Sequence, residues 1–449
     1  MSFEISNELI GQVKHLIEIE GDENLQRMLS EIHFADIAEI ISELNLIQAT
    51  YLIKLLDSEK TSEALMELEE DFRERILENL SVKEIAEELE EMDTDDATDV
   101  VAELPEERAE KVIAELEDEK LAEDIKELLT YEEDTAGGLM AKELVKVKET
   151  WTVAGCVREM RLQAKNVTRV HSIYVVDKKG KLTGRLSLKD LLTAPAKSHI
   201  SDIYIPKVDY VHVNTEGEEI ARIMQKYDLE AIPVVDEQGI LMGRVTIDDM
   251  VDFIRDEAEK DYQMAAGISQ DVEADDNVWE LTRARLPWLI LGLLGGLGSV
   301  FIMEGFEEAL KTYKELFFFT PLIAAMAGNV GVQSSAIIVQ GLVNDNVKGS
   351  LLTRLIKEIS LSLISGVTLG ILVIVFGMIT HMDIAFSLTI ALSMLCVIIV
   401  AALIGTFVPI ILNKKGIDPA IATGPFITTS NDIFGIFLFF YIAKLILGF

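Results

Sequence analysis

The chain has 449 residues, which is long enough for two or three domains, and its charge is strongly unbalanced. It carries 40 Lys and Arg against 77 Asp and Glu, a formal net charge of −37. This balance argues against a nucleic-acid-binding protein, because such proteins need a basic surface. The two cysteines, Cys156 and Cys396, lie in different regions, so no disulfide framework is implied. No basic segment followed by an apolar core is visible at the N-terminus, so no cleaved signal peptide is expected.

Charge divides the chain into three parts. Residues 1–134 hold 42 acidic and 11 basic residues, residues 135–282 hold 26 and 19, and residues 283–449 hold 9 and 10. In the first part an apolar residue recurs every twelve positions, often followed by turn or capping residues such as the capping box Ser81-Val-Lys-Glu84. This period predicts short helices stacked as a superhelix with one apolar face inward. The series is Ile32, Leu44, Leu56, Leu68, Leu80, Met92, Leu104, Leu116 and Leu128.

The acidic charge of this first part is too large to be a solvated surface alone. A net charge of −31 over 134 residues destabilises a compact fold by self-repulsion. We therefore expect cations to neutralise part of it.

A second repeat has a longer period. Residues 173–192 (IYVVDKKGKLTGRLSLKDLL) match residues 232–251 (IPVVDEQGILMGRVTIDDMV) at an offset of 59, with nine identities in twenty. Each copy predicts a strand, a turn containing glycine, a second strand and a helix that opens with Ser187-x-x-Asp190 or Thr246-x-x-Asp249. The pattern resembles a pair of CBS motifs, a regulatory module that binds adenine nucleotides or metal ions. The Ser/Thr-x-x-Asp pattern can hold a ribose in such pairs, but it is also an ordinary helix cap, and we favour the cap.

From Leu286 onward the sequence is typical of a membrane protein. Five apolar stretches are long enough to cross a hydrocarbon core of roughly 30 Å, at about 286–303, 316–343, 355–380, 384–412 and 420–448. Lys and Arg are more frequent in the flanks on one side, which predicts a cytoplasmic N-terminus and an outside C-terminus. The inside flanks hold Arg283, Arg285, Lys348, Arg354, Lys357, Lys414 and Lys415, and the outside flanks hold Lys311, Lys314 and Lys444.

Polar residues inside these stretches are the candidates for a transport pathway. Asp432 lies near the middle of the fifth stretch, where a carboxylate costs roughly 2.5–3.5 kcal/mol to insert and usually faces a polar path. The second stretch carries a polar interruption at 328–333, after Pro321. Asn329 and Gln333 there suit helix packing and a pathway equally well. A further helical segment, from about 251 to 282, is expected to join the CBS pair to the first membrane helix.

Together these parts resemble the MgtE family of magnesium channels along the full chain. The motifs that carry the resemblance are TYEEDTAGGLM (130–140), P-x6-GN-x-G-x-Q (321–333) and P-x6-D (425–432). The resemblance implies an acidic helical superhelix at 1–130, a CBS pair at 131–256 (about 135–196 and 197–256), a connecting helix at 257–282 and a five-helix pore domain at 283–449. It also implies a homodimer in the lipid of the cytoplasmic membrane, with the pore on the twofold axis.

The resemblance assigns the candidate site residues. The pore aspartate falls on Asp432, with Thr428 and Gly435 lining the pore beside it and Asp418 at the cytoplasmic end of the helix. Asp190 matches a nucleotide contact, whereas Leu229 stands where an aromatic ring would stack on ATP. Lys260 departs from the pattern, because another acid can stand there. The cytosolic magnesium sites fall on Glu63, Asp95, Asp99, Glu216, Glu218, Asp228, Asp249, Asp252, Glu257 and Asp261.

Elementary ion chemistry agrees with magnesium as both cargo and regulator. Mg²⁺ prefers oxygen ligands and gives up its water reluctantly, so two Asp432 carboxylates across a twofold could hold a hydrated ion. No clustered Cys or His indicates a softer metal. Two alternatives stay open: a transporter for divalent ions coupled to protons or sodium, which would need a second acid such as Glu358, and a membrane sensor that transports nothing. An enzyme is least expected, because no nucleophile–base pattern appears.

Overall fold

The computed structural model describes residues 5–164, 167, 169–270, 272, 274, 276–343, 350–422 and 424–448, without the side chains at 309, 343 and 422. These residues form two compact units, Met1–Ile254 and Arg255–Phe449. The first unit contains the acidic helices and the CBS pair. The second contains the end of a long helix and the apolar helices of the C-terminal part.

The acidic part folds as a succession of short helices, which we call the helical domain. Its helices are α1 Asn7–Glu18, α2 Asp22–Leu29, α3 Phe34–Ser42, α4 Leu46–Leu55, α5 Ser58–Met66, α6 Glu70–Asn79, α7 Val82–Leu89, α8 Thr94–Ala102, α9 Glu106–Glu115 and α10 Glu119–Leu128. Helices two apart pack on each other: α3 on α5, α5 on α7, α7 on α9, α4 on α6 and α8 on α10. The predicted stack of short helices is therefore confirmed.

The twelve-residue period marks the helix ends rather than the helix faces. Leu44, Leu68, Leu80 and Leu104 follow the last residue of a helix by one or two positions, and all are buried in the core. The predicted capping box at α7 is present as well. Ser81 Oγ accepts from the amide of Glu84 at 3.2 Å, and Glu84 Oε2 accepts from the amide of Ser81 at 2.6 Å. That backbone bond holds the pKa of Glu84 at about 2.

The CBS pair forms two small mixed sheets. The first has the order β1 Val145–Lys148, β2 Ile173–Val176, β3 Leu182–Leu186 and β4 Ile205–Pro206, and the second has the order β5 Val211–His212, β6 Ala231–Val235 and β7 Leu241–Thr246. In both sheets the first pairing is parallel and the second is antiparallel. The helices between these strands are α11 Val153–Gln163, α12 Leu188–Thr193 and α13 Gly217–Tyr227, and α14 Ile247–Ala266 follows the last strand.

The two copies of the repeat are related by a local twofold. Gly180 and Gly239, which are 59 residues apart, both adopt the left-handed conformation in the turn between two strands, with φ of 85° and 78°. The two turns meet: Leu182 N donates to Gly239 O at 3.0 Å, and Leu241 N donates to Gly180 O at 3.1 Å. Residues at an offset of 59 therefore occupy equivalent places, and each copy folds as the sequence predicted.

In the C-terminal part, the described residues form five helices that are long and apolar enough to cross a membrane. They are α15 Val278–Gly305, α17 Glu315–Val343, α18 Leu351–Ile379, α19 Ile384–Lys414 and α20 Gly424–Leu447, with the short α16 Glu307–Thr312 between the first two. The protein is thus a multi-pass membrane protein. The last helix begins later than predicted, because Gly424 is in the left-handed conformation (φ 48°) and separates α20 from a 3₁₀ turn at Pro419–Ala422.

The segment between the CBS pair and the first membrane helix differs from the prediction. The long helix α14 is present, but it ends at Ala266 instead of continuing to residue 282. It ends there because Gly267 has a φ of 84° and its amide bonds back to Met264 O at 3.0 Å. The next helix starts separately at Val278, where Asn277 Oδ1 caps it by accepting from Trp279 N at 3.0 Å. Residues 257–282 are therefore not one helix.

Candidate functional site

The two polar motifs predicted in the membrane come together between α17 and α20. A methyl group placed on Gly328 would lie 3.2 Å from Thr428 Cγ2 and 3.7 Å from Asp432 Oδ1. A methyl group on Gly435 would lie 2.9 Å from Ala327 Cβ, so the two helix backbones approach closely on both sides of Asp432. Asp432 itself is half-buried within one chain. The lack of a side chain at Gly328 lets α17 approach α20 closely beside Asp432.

The next turn of the same interface is even tighter. A methyl group on Gly331 would collide with the amide of Asn431, and one on Gly405 of α19 would collide with Gly331 O. Asn431 is 1% exposed. The glycines of 328–331 thus have a packing role that brings α17, α19 and α20 together around the aspartate. Gly435, predicted to line the pore, also lies buried against Ala327 and Val397 in a single chain.

The proline at the start of the second motif is accommodated by a hydroxyl group. Pro321 lies inside α17 and cannot donate to the carbonyl of Phe317, four residues earlier. The buried Thr320 hydroxyl donates to that carbonyl at 2.7 Å instead. Helix α17 therefore stays continuous across the proline, as a chain in hydrocarbon requires.

Asn329 and Gln333 lie on an exposed face of α17 within one chain. They are spaced four residues apart, so they lie on one stripe of the helix. An exposed amide in hydrocarbon costs free energy, so this stripe is expected to meet water or another protein surface. Thr428, on α20, donates its hydroxyl to Gly424 O at 2.9 Å, and Asp418 caps the 3₁₀ turn before α20 by accepting from Ala420 N at 2.8 Å.

The end of the connecting helix lies against the start of α20. A methyl group on Gly424 would collide with Ala265 O, and one on Gly267 would collide with the ring of Pro425. The segment after α14 is also tied to α15, since the amide and the hydroxyl of Ser269 donate to Ala284 O at 3.0 and 2.8 Å. The last turn of α14 therefore contacts the helix that carries Asp432, although α14 is not continuous with α15.

A cluster of carboxylates lies where the helical domain meets the CBS pair. At the N-terminus of α8, Thr94 Oγ1 donates to Glu143 Oε2 at 2.8 Å and accepts from Lys142 N at 2.7 Å. Four predicted ligands take part in this cluster with other acids, and their charges act on one another. The members are Glu63, Asp93, Asp95, Asp96, Asp99, Glu143 and Asp249.

Burial dominates the electrostatics of this cluster. Burial raises the pKa of Asp96 to about 8, and the charge of Asp249 adds to that rise. Burial also raises the pKa of Asp99 to about 7. Burial and the neighbouring charge of Asp96 raise the pKa of Asp95 as well. Such a group of buried acids repels itself when ionised, so a nearby hard cation would reduce the repulsion. Among the described residues, no three of these acids bring their carboxylate oxygens within 4.8 Å of one another.

Sequence reasoning missed Asp93, Asp96 and Glu143. The first two belong to the run Asp93-Thr-Asp-Asp-Ala-Thr-Asp99, whose spacing places several acids in the first turns of one helix. A helix N-terminus attracts acids anyway, so the run alone does not indicate a ligand. Glu143 has no local signal, because it reaches the cluster only through the packing of two domains.

The other predicted ligands are not part of this buried cluster within the described residues. Glu216 and Glu218 lie exposed at the start of α13, and Asp228 ends that helix with a φ of 50°. Asp252 lies exposed on α14, and Glu257 and Asp261 follow on the same helix in the second unit. Lys260 Nζ is 3.9 Å from Glu257 Oε2, so the departure from the family pattern places a cation beside a predicted ligand. All six remain predictions.

A cavity of about 90 Å³ lies in the CBS pair, and Tyr174, Arg185, Lys207 and Leu229 are among its lining residues. Its lining holds the cations of Arg185 and Lys207 and one acid, Asp209, and this positive excess favours an anionic ligand. Asp190 is not among the lining residues. Ser187 Oγ instead caps α12 by accepting from Lys189 N at 3.2 Å, and Asp249 Oδ2 accepts from Thr246 N at 3.3 Å, so both Ser/Thr-x-x-Asp patterns make helix-start hydrogen bonds.

The raised pKa values predict how metal-free stability depends on pH. Asp93, Asp99 and Asp96 have folded pKa values of about 6, 7 and 8, all above their ordinary value. Their protonated forms stabilise the fold, and this contribution is lost as pH rises through those values. In chelator, the first thermal midpoint of the full chain should fall between pH 6 and pH 8, by about 2–4 °C for each kcal/mol lost. Asp96→Asn should flatten this fall; a midpoint that rises over the interval would contradict the prediction.

Comparisons with known proteins cover most of the chain. Residues 32–134 match the family model of the MgtE intracellular N domain, residues 136–197 and 200–256 match that of the CBS domain, and residues 320–442 match MgtE, described as a divalent cation transporter. The magnesium transporter MgtE of Thermus thermophilus is 36% identical over 324 residues, which cover 71% of this chain and 72% of that protein. The magnesium transporter MgtE of Bacillus subtilis is 35% identical over 317 residues, 70% of each chain.

A solved structure matches the N-terminal part of the chain. It is the cytosolic domain of the Mg²⁺ channel MgtE in complex with ATP, which is 35% identical and superposes with a TM-score of 0.52. The match covers 55% of this chain and all of that one. The order of the matched domains and the identity over more than two thirds of the relatives agree with the polar motifs of α17 and α20. The chain belongs to the MgtE family of divalent cation transporters.

Proposed function

We propose that this protein moves Mg²⁺ across the membrane, with Asp432 as the central ion-binding group. The observation that carries the proposal is the close approach of Gly328 on α17 to Thr428 and Asp432 on α20. A half-buried carboxylate in a membrane helix is costly unless it serves a polar pathway. Both relatives described above are named as magnesium transporters. Transport of this kind needs no covalent chemistry, so we assign the chain no enzymatic activity.

We infer that the working form is a homodimer with the pathway between the two copies. Asn329 and Gln333 are exposed on α17 in a single chain, beside the half-buried Asp432. Two such surfaces facing each other would bury the amides and place two carboxylates along one water-filled path. Mg²⁺ keeps most of its water, so these oxygens can hold it through its hydration shell. Lipid would then cover the apolar faces of α15 and α18, which are the least buried of the five helices.

Regulation by Mg²⁺ is assigned to the acidic cytoplasmic part. The cluster at the N-terminus of α8 gathers acids from the helical domain and the CBS pair, so an ion there would favour their docking. The contact of Ala265 and Gly267 with the start of α20 offers a route from α14 to Asp432. We propose that Mg²⁺ bound in the cytoplasmic part closes the pathway through that contact, with Glu257 and Asp261 of α14 as further ligands.

We place the N-terminus in the cytoplasm. Six of the seven basic residues on the predicted inside flank lie in the described residues, at the start of α15, the start of α18 and the end of α19. Lys348 lies outside the described residues. Alternation of the five spans puts those three helix ends on one side, which agrees with the excess of positive charge there.

Two further functional hypotheses, ion-coupled transport and regulation by an anionic ligand, are supported by specific observations. Glu358 on α18 accepts a hydrogen bond from Ser334 on α17 at 2.5 Å, so a second acid near the membrane is available for ion-coupled transport. The cavity lined by Arg185 and Lys207 suits an anionic regulator such as ATP, which is bound in the structural relative. A membrane sensor without transport is less supported, since it leaves Asp432 unused.

Flux into liposomes that contain the purified protein tests the proposal. We expect Mg²⁺ entry that follows the membrane voltage and does not require a proton or sodium gradient, because a channel needs only the electrochemical gradient of the ion itself. Mg²⁺ entry that stops when the proton or sodium gradient is removed would favour coupled transport through Glu358. If no Mg²⁺ enters under any condition, a membrane sensor without transport is the remaining hypothesis. Comparing Mg²⁺ flux with and without ATP inside the liposomes tests whether the cavity of the CBS pair binds ATP as a regulator.

A further inference from the structure

The repeat places two arginines in equivalent positions of the CBS pair, and their surroundings differ. Arg185 on β3 and Arg244 on β7 are 59 residues apart, the offset of the repeat. Arg185 is exposed and lines the open cavity. Arg244 is 4% exposed, and its Nη1 donates to Arg169 O at 3.0 Å. One copy of the repeat therefore has an accessible cation, and the other has a buried one.

The buried arginine is paired with an acid of the other domain. Arg244 Nη2 lies 3.7 Å from Oδ2 of Asp93, the residue that precedes α8 in the helical domain. The backbone of Arg244 is fixed by two bonds of 2.9 Å with Ala141, just before the segment that contacts Thr94. The guanidinium thus reaches across the junction of the two domains from a rigid strand. Where the first copy of the repeat has an open cavity, the second copy has its arginine engaged by the chain's own carboxylate.

This guanidinium is a cation inside a cluster of acids. Burial raises the pKa of Asp93 to about 6, with Glu143 adding to the rise, and Arg244 opposes it. Burial also raises the pKa of Asp249, and Arg244 again opposes the rise. One fixed positive charge offsets only part of the negative charge, so the junction remains net acidic.

We propose that Arg244 is a built-in counter-cation that holds the helical domain on the CBS pair through Asp93 when no divalent ion is bound. The proposal rests on the proposed regulatory use of the carboxylate cluster. Arg244 is the buried member of the pair, and Asp93 is partly exposed at 30%. Separation of the two domains would deprive this buried guanidinium of one counter-charge, which is unfavourable. A bound divalent ion supplies two positive charges to the same cluster, so it can replace the guanidinium. Arg244 therefore matters most in metal-free protein, where it limits how far the two domains separate.

Backbone hydrogen exchange of the full chain in lipid discs measures this docking directly. The amides of Thr94 and Lys142 both bond across the junction, to Glu143 and to Thr94 respectively, so peptides that contain them report the contact. In chelator, we expect Arg244→Gln to exchange about tenfold faster than wild type at these peptides. In saturating Mg²⁺ the two proteins should exchange equally, because the ion replaces the lost charge.

Arg185→Gln is the matched control, since it removes the equivalent arginine from the other copy of the repeat. Its hydrogen exchange at these peptides should equal that of wild type both in chelator and in saturating Mg²⁺. If Arg244→Gln does not fold, Arg244→Lys keeps a positive charge beside Asp93 and should exchange close to wild type in chelator; fast exchange of this variant would also contradict the proposal. Equal exchange of Arg244→Gln and wild type in chelator would overturn the proposal. Faster exchange that persists in saturating Mg²⁺ would also overturn it, because that result indicates a structural defect. If exchange of the wild-type peptides is the same in chelator and in saturating Mg²⁺, the proposed regulation by Mg²⁺ is wrong, independently of Arg244.

Discussion

Replacing Asp432 with Asn should reduce Mg²⁺ flux about a hundredfold or more, which corresponds to a loss of about 2.7 kcal/mol of ion stabilisation. The substitution keeps the shape of the side chain and the space that Gly328 leaves beside it. It removes the charge that attracts a divalent ion, and a neutral amide cannot replace that attraction in a region of low dielectric. The helices should still pack, because the close contacts at Gly331, Gly405 and Gly435 do not involve the carboxylate. The measurement is flux into liposomes, with size-exclusion chromatography to show that the variant is folded.

Asp383→Asn is the matched control for this variant. Asp383 is an exposed acid of the same membrane part that caps α19 by accepting from Phe386 N at 3.3 Å. Asn caps a helix as well as Asp does, so the control removes one carboxylate without disturbing the fold. It should transport like wild type. Wild-type flux in Asp432→Asn would exclude Asp432 as the central conduction site, and an equal loss in both variants would indicate a general effect of charge.

Neutralising Asp95, Asp99, Asp249 and Glu257 together should leave the proposed Mg²⁺ pathway open when internal Mg²⁺ is high. Moving a two-state gate from about 1:99 to 99:1 needs roughly 5.5 kcal/mol of differential binding. Four sites that each bind about tenfold more tightly in the closed state supply that amount at roughly 1.4 kcal/mol apiece. Weak sites therefore add up to a steep switch, and neutralising these acids of the cluster and of α14 should abolish it. Deletion of residues 1–130 should have the same effect.

Patch recording with the cytoplasmic face exposed to a Mg²⁺ series measures this closure. The matched control neutralises four solvated acids of the helical domain, Glu59, Glu78, Glu110 and Glu123, all of which are exposed. It removes the same total charge from the surface of the helical domain, away from the buried cluster, and should close over the wild-type range. If the variant with Asp95, Asp99, Asp249 and Glu257 neutralised also closes over that range, these acids do not form the sensor.

The path of the gating signal is where the structure changes the expectation most. The sequence predicted a continuous helix from the CBS pair into the first membrane helix, which would carry the movement through α15. Gly267 and Asn277 interrupt that helix, and the contact of Ala265 and Gly267 with Gly424 and Pro425 leads to α20 instead. A glycine that ends a helix and an asparagine that starts one are both visible in a sequence.

The sequence by itself determined the parts that depend on short-range patterns. Apolar length gave the five membrane helices, the twelve-residue period gave the stacked helices, and the offset of 59 gave the CBS pair, because each rests on local spacing. The same reasoning placed Asp432 inside a membrane helix. Each of these features depends on residues that are close in sequence, so it can be predicted without information on distant contacts.

Only the tertiary structure decided which residues meet. Gly328 and Asp432 are about a hundred residues apart in sequence, and nothing local says that α17 presents its glycines to α20. Glu143 and Arg244 join the acids of α8 only because two domains pack on each other. Arg185 occupies the equivalent position of the repeat, after a glycine like Arg244, but stays exposed. The physical reason is that burial and the neighbouring charges set the electrostatics of a side chain, and both come from parts of the chain far away in sequence.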